Sequence, residues 1–187
     1  SPIDQGLAVP VTMPGQHLKE LSKTMLKTVL LSALLLVGAA IAAFILTGRE
    51  RSWELVAGSP DSGQRDFSTA QRSPTNNDAL ACSPGLCSEP DFEITAFHDA
   101  PAIAIERLSQ RLLASDPLAR RVDDRTDSAK ARFVTYSPLM RFPDVIHLEA
   151  RPLPDGRTGI MAYARAQLGT SDLGKNRARL EALLVQR

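Results

Sequence analysis

The chain has 187 residues, enough for one domain with length to spare, and its 22 basic and 21 acidic residues leave a formal charge of +1. Residues 1–48 hold that surplus, with three lysines against Asp4 and Glu20, so the remainder is neutral. A neutral body with 5% aromatic residues argues against a nucleic-acid protein, which needs a concentrated basic face and stacking platforms. The two cysteines are too few for a disulfide scaffold or a four-ligand zinc site.

Residues 1–24, "SPIDQGLAVPVTMPGQHLKELSKT", lack an initiator Met and read as a cytoplasmic tail or an expression remnant. Residues 25–48 read as a transmembrane anchor. From Val29 to Thr47 there are nineteen residues without a charge, which at helical rise cross the roughly 30 Å hydrocarbon core. Lys19, Lys23 and Lys27 precede this run, so the positive-inside rule puts the N-terminus in the cytoplasm. In a bacterium this gives a single-pass protein of the inner membrane with its C-terminal domain in the periplasm. Arg49 and Arg51 on the far side weaken the contrast. Trp53 falls where the headgroup layer begins, which favours a retained anchor. A cleaved signal peptide is the competing reading, with small residues around Ala40 to Ala43 as the cleavage region.

Residues 49–90 read as a linker, rich in Ser, Pro, Gly, Asn and Asp without a sustained apolar period. It contains the pair Cys82 and Cys87 around "SPGL". In an oxidising compartment these form a short disulfide, against the alternative of free thiols. A redox-active pair is disfavoured, because the spacing is not C-x-x-C and no thioredoxin-like pattern surrounds it.

Residues 91–187 read as the folded domain. "DFEITAF" alternates as a strand. Asp99 and Pro101 then open a helix over 100–114 in which Ile105, Leu108 and Leu112 share a face. Strands are predicted at "RRVDD", "KARFVTYS", "DVIHLEAR" and "TGIMAYARAQL", the last two joined by a "PLPDG" hairpin turn. The expected class is α+β, a small antiparallel sheet of order β-α-β-β-β-β-α with helices on one face. In "VIHLEAR", Ile146, Leu148 and Ala150 take one face; Val145, His147, Glu149 and Arg151 take the other, so His147 is expected to face solvent or a groove.

The terminal helix opens at Ser171 or Asp172, where a carboxylate complements the helix dipole. Leu173, Leu180 and Leu183 are expected on its packed face, with Asn176 among them and Arg177 and Arg179 outside. Burying the Asn176 amide demands partners in the backbone or on a strand, so Asn176→Leu is expected to abolish folding. The run "GTSDLGKNRARLEAL", together with the C-x4-C pair, resembles the bacterial and plastid domain of unknown function 1499 family over about residues 80–187. Its motif positions fall here on Gly169, Ser171, Asp172, Gly174, Asn176, Arg177 and Glu181. The resemblance implies a compact exported or membrane-anchored domain without an assigned reaction. Two departures stand out: Gln167 holds a usual Arg position with Arg165 out of step, and the cysteines are closer together than usual.

Three functions compete. One is a non-enzymatic accessory or binding module for an envelope or membrane complex; no nucleophile elbow, phosphate loop or metal cluster is present in the sequence, and no cofactor is expected. Another is a module for a lipid-like or small ligand, favoured by an open cavity above roughly 300 Å³. The third is an enzyme using Asp172, Asn176, Arg165 and His147, which requires His147 and Asp172 to converge in one cleft. The candidate ligand or partner contacts are Arg165, Ser171, Asp172, Asn176 and Arg177.

Overall fold

The computed structural model describes residues 14–185; most of the predicted N-terminal tail, residues 1–13, lies outside the described residues. The chain divides into two compact units at Thr47 and Gly48. The first is one helix, α1 (Pro14–Thr47). Residues 14–24, expected in the tail, therefore continue the helix, since Lys23 pairs with Glu20 one turn away and no proline interrupts the run. Leu18–Thr47 is long and apolar enough to cross a membrane or to serve as a signal sequence.

The second unit begins with a short helix, α2 (Arg49–Ala57), and contains β1 (Asp78–Cys82), β2 (Phe92–Glu93), α3 (Pro101–Ser115), β3 (Arg120–Arg121), β4 (Lys130–Tyr136), β5 (Pro143–Pro152), β6 (Thr158–Ala166) and α4 (Lys175–Leu184). The six strands make one sheet in the order β2-β1-β6-β5-β4-β3. Its pairings are antiparallel except for β1 with β2, which run parallel. The α+β class and the predicted element order hold, with α2 and β1 added ahead of them.

Alternation along the strands sorts side chains to two faces. Ala79 and Ala81 of β1, Ala131 and Phe133 of β4, Ile146 and Leu148 of β5, and Ile160, Ala162 and Ala164 of β6 meet Ile105, Leu108 and Leu112 of α3 and Leu180, Leu183 and Leu184 of α4 in the main core. The run of alanines at the centre of the sheet lets the helices approach closely. The predicted stripe on α3 is the buried one. Asp99 does not cap α3; Ala100 holds that position without a side-chain bond, and Asp99 pairs with Arg107 instead. The β5–β6 turn follows its sequence signal, with Gly156 at φ 83 and Asp155 accepting the Arg157 amide.

The stretch expected as a tether is folded. Residues 58–77 cross the second face of the sheet as a strap, and β1 lies between β2 and β6. Under the strap sits a second apolar cluster of Phe67, Leu80, Cys82, Met161 and Tyr163. The polar residues of the strap are fastened to the sheet by ion pairs and hydrogen bonds, and for that reason composition alone reads them as disordered. Cys82 and Cys87 form a disulfide, with Leu86 and Cys87 packed against the second cluster. The closed loop is short, so reduction, or a Cys82→Ser/Cys87→Ser chain, should lower stability by about 2 kcal/mol. The check is denaturant unfolding with and without reductant.

Candidate ligand-binding cavity

The second sheet face is set by β1, β6, β5 and β4. Asp78, Leu80 and Cys82 point there from β1, Tyr163 and Arg165 from β6, Val145, His147 and Glu149 from β5, and Arg132 from β4, by the same alternation that sends their neighbours into the core. The strap is pinned at both ends. At its start the Gln167 amide donates to the carbonyls of Ala57, Gly58 and Ser59 at 3.1, 3.1 and 3.2 Å, and Asp61 pairs with Arg132. At its end Arg72 donates to Asp78 at 2.9 and 3.0 Å and to Asp91 at 2.8 Å, while the Ser73 hydroxyl donates to Asn77 Oδ1.

Between these anchors a cavity of about 430 Å³ lies beneath the strap, lined by Arg65, Arg72, Val145, His147, Tyr163 and Arg165 among others. The Arg65 guanidinium carbon stands 3.7 Å from the centre of the Tyr163 ring and 5.5 Å from that of Phe67, a cation-π arrangement that seats it over the aromatic face. It donates to the Gln71 carbonyl, and its Nε is buried without a hydrogen-bond partner. Burial pulls its pKa down, opposed by Tyr163, and Arg72 and Arg165 add repulsion. The Tyr163 hydroxyl donates to Asp78 at 2.9 Å, and burial together with the Asp78 charge pushes it up to about 12. Burial would raise the Asp78 carboxyl, but Arg72, the Ser73 amide and Tyr163 outweigh it and hold it below the usual carboxylate value.

His147 is 3% exposed and turned toward the cavity, the groove rather than the solvent side of its expected placement. It forms part of the cavity lining, and its Nδ1 has no partner. Burial first, then the charges of Arg132 and Arg65, bring its pKa down to about 4. The imidazole is therefore neutral at pH 7, a hydrogen-bonding group rather than a charge. Arg165 is exposed at the rim and has no ion pair among the described residues. A cleft of about 450 Å³ beside Leu153 lacks any buried, unpartnered polar atom, and in another of the same volume beside Asp123 the one such atom, Arg132 Nε, is ion-paired with the Asp61 carboxylate.

The other sequence-predicted contacts are elsewhere. Ser171 and Asp172 form the entrance to α4, on the helix-covered face. Ser171 Oγ accepts the Leu173 amide, and Asp172 accepts the amides of Gly174 and Asn176. The chain turns into α4 through Leu173 at φ 55 and Gly174 at φ 75, so Leu173 leaves the packed stripe and is 87% exposed. Asn176 is fully buried; its amide donates to the Asn77 carbonyl at 3.2 Å and its Oδ1 accepts from Arg179 at 2.6 Å. Arg179 is not outside, as expected, but continues this network to Asp144 at 2.8 Å. Arg177 pairs with Glu181 and lies over the Phe92 ring. The polar set proposed for an enzyme does not converge, since His147 lies under the strap and Asp172 is committed to α4.

Asn77 also donates to the Ala166 and Gly169 carbonyls, so the motif asparagine supports the end of the strap from the opposite side. Asn176→Leu should cost about 2 kcal/mol, less than the collapse expected from sequence, because the Asn77 carbonyl keeps the Ala166 amide and Arg179 keeps Asp144. Thermal unfolding of the variant tests this.

Sequence reasoning singled out Arg165 and His147 but not Arg65, Arg72, Asp78 or Tyr163. The one signal for the two arginines is the repeated Gln-Arg dipeptide at 64–65 and 71–72, with Asp66 the only other charge between them, and nothing marks Asp78 or Tyr163. No curated protein and no solved structure matches the chain. A family model described as Protein of unknown function (DUF1499) matches residues 61–186, a span that opens inside the strap and closes at the end of α4. Strap, sheet and terminal helix are thus matched as one unit, and the chain belongs to that family.

Proposed function

We propose that the protein is a membrane-anchored, non-enzymatic binding module whose domain lies outside the cytoplasm and holds a small ligand between sheet and strap. The observation that carries the reading is the cavity itself: about 430 Å³, within the range of small-molecule sites, with two buried atoms in its lining residues, Arg65 Nε and His147 Nδ1, that have no hydrogen-bond partner among the described residues. The location is supported by Lys19, Lys23 and Lys27 ahead of a spanning-length helix and by the disulfide, which persists in oxidising compartments. Val145→Phe places a ring in the cavity. Native mass spectrometry of the full chain gently extracted from membranes should show one small molecule retained per chain, absent from Val145→Phe. A bare chain mass for the wild type removes the reading.

A second reading, an accessory subunit of a membrane complex, is favoured by the exposed Leu139, Met140 and Phe142. Beside them is Trp53, which donates to the Met140 carbonyl and packs against Phe142 with ring centres 4.8 Å apart and planes tilted by 43°. Cross-linking from residue 139 to a membrane protein, with no small molecule retained, would favour it.

A further inference from the structure

Partly buried arginines in the folded unit follow a rule. Arg72 is paired with Asp78 and Asp91, Arg121 with Asp123, Arg132 with Asp61 and Arg179 with Asp144. Each pairing offsets the cost of taking a guanidinium out of water. Arg65 breaks the rule: it is half-buried, its contacts are the Gln71 carbonyl and the rings of Phe67 and Tyr163, and no carboxylate pairs with it among the described residues. Two positions along β6 from Tyr163, on the same face of the strand, Arg165 is likewise unpaired. Both line the one cavity that also contains the buried, unpartnered His147 Nδ1.

We propose that this cavity recognises an oxyanion, a carboxylate or phosphate group of a small ligand, held between the Arg65 and Arg165 guanidinium groups. The inference rests on the ligand-binding reading above and names the chemistry of what is bound. A planar guanidinium presents a fork of N–H donors that matches two oxygens of a carboxylate or phosphate. The contact with the Tyr163 ring and the bond to the Gln71 carbonyl hold the Arg65 guanidinium in place before the ligand arrives, which removes an ordering cost from binding. The orphaned Arg65 Nε supplies a donor that no protein group uses. Arg165 at the rim is the second cation. The His147 imidazole is placed to hydrogen-bond another polar part of the ligand, since the cavity is larger than one oxyanion needs. Arg72 does not serve as a ligand contact in this arrangement, because its charge is already matched by two carboxylates.

The test uses the full chain in a neutral detergent, titrated with inorganic phosphate and with acetate at constant ionic strength and followed by calorimetry and by the thermal unfolding midpoint. The wild type should bind one of these anions saturably. Arg165→Gln, a change at an exposed position whose circular dichroism should match the wild type, should weaken that binding by about tenfold or more. Arg65→Gln should do the same. A parallel arm compares nanodiscs of phosphatidylcholine with nanodiscs containing phosphatidic acid. Arg165-dependent binding to the acidic nanodiscs that free phosphate does not displace identifies a lipid headgroup as the source; binding that is the same in both nanodiscs identifies a soluble anion. Equal responses of wild type and Arg165→Gln in every arm overturn the proposal. If the mass experiment finds an uncharged molecule in the cavity, the oxyanion assignment fails while the ligand-binding reading stands; if it finds none, that reading fails.

Discussion

Asp78→Ala is expected to lower the stability of the folded unit by about 3 to 4 kcal/mol. One carboxylate, its side chain 6% exposed, accepts four hydrogen bonds: two from Arg72, one from the Ser73 amide at 2.9 Å and one from the Tyr163 hydroxyl. Its removal leaves the tyrosine hydroxyl and the Ser73 amide without these partners and gives Arg72 only Asp91. The loss exceeds that of an exposed ion pair, because groups buried with one partner missing bear the full desolvation cost. Asp78→Asn, which keeps an acceptor but not the charge, should fall between wild type and alanine. Denaturant midpoints for the three chains in detergent give the comparison. Since the folded carboxyl is held below 3.8, its contribution is complete above that value and disappears as pH falls through the folded value.

Acidification should weaken the fold earlier, through His147. Its pKa is 6.5 when unfolded and about 4 in the folded chain, so the unfolded chain takes up a proton that the native chain refuses. Stability is therefore fully present above pH 6.5 and declines as pH drops toward 4, by about 3 kcal/mol over the interval. The causes are burial under the strap and the proximity of Arg132 and Arg65, only partly offset by Asp61. In His147→Gln the slope between pH 6.5 and pH 4 should flatten to whatever the carboxylates contribute. Unfolding curves at pH 7 and near pH 4.5 separate the outcomes, and an unchanged slope in the variant would remove His147 as the cause.

The legible parts of this fold are those in which one physical signal dominates. In β5, Ile146, Leu148 and Ala150 alternate with polar neighbours and are read correctly; in α3, Ile105, Leu108 and Leu112 repeat at helical spacing and are buried as read. Strand β1 was hidden because "DALAC" is buried on both faces, so nothing alternates, and because its five residues lie between Asn-rich and Pro-Gly segments. The strap was hidden for a different reason. Asp61, Arg72 and Ser73 look like a solvated linker until their partners on distant strands are known, and no spacing within the sequence reports Arg132 or Asp78. The site follows the same division. Arg165 and His147 were visible on a predicted strand, whereas Arg65 takes its meaning from stacking on Tyr163, ninety-eight positions later.

The cavity exists only if the strap is a fixed wall, which makes backbone hydrogen exchange across residues 58–77 of the full chain the most direct measurement. The Ser73 amide, bonded to Asp78, and the Asn77 amide, bonded to the Thr75 carbonyl, should exchange about a hundredfold more slowly than in an unstructured chain, in line with an opening cost of about 3 kcal/mol. Asp78→Ala should return them toward unprotected rates. Exchange at unprotected rates throughout this stretch in the wild type would mean that the segment is a tether after all, and the cavity and its ligand would fall with it.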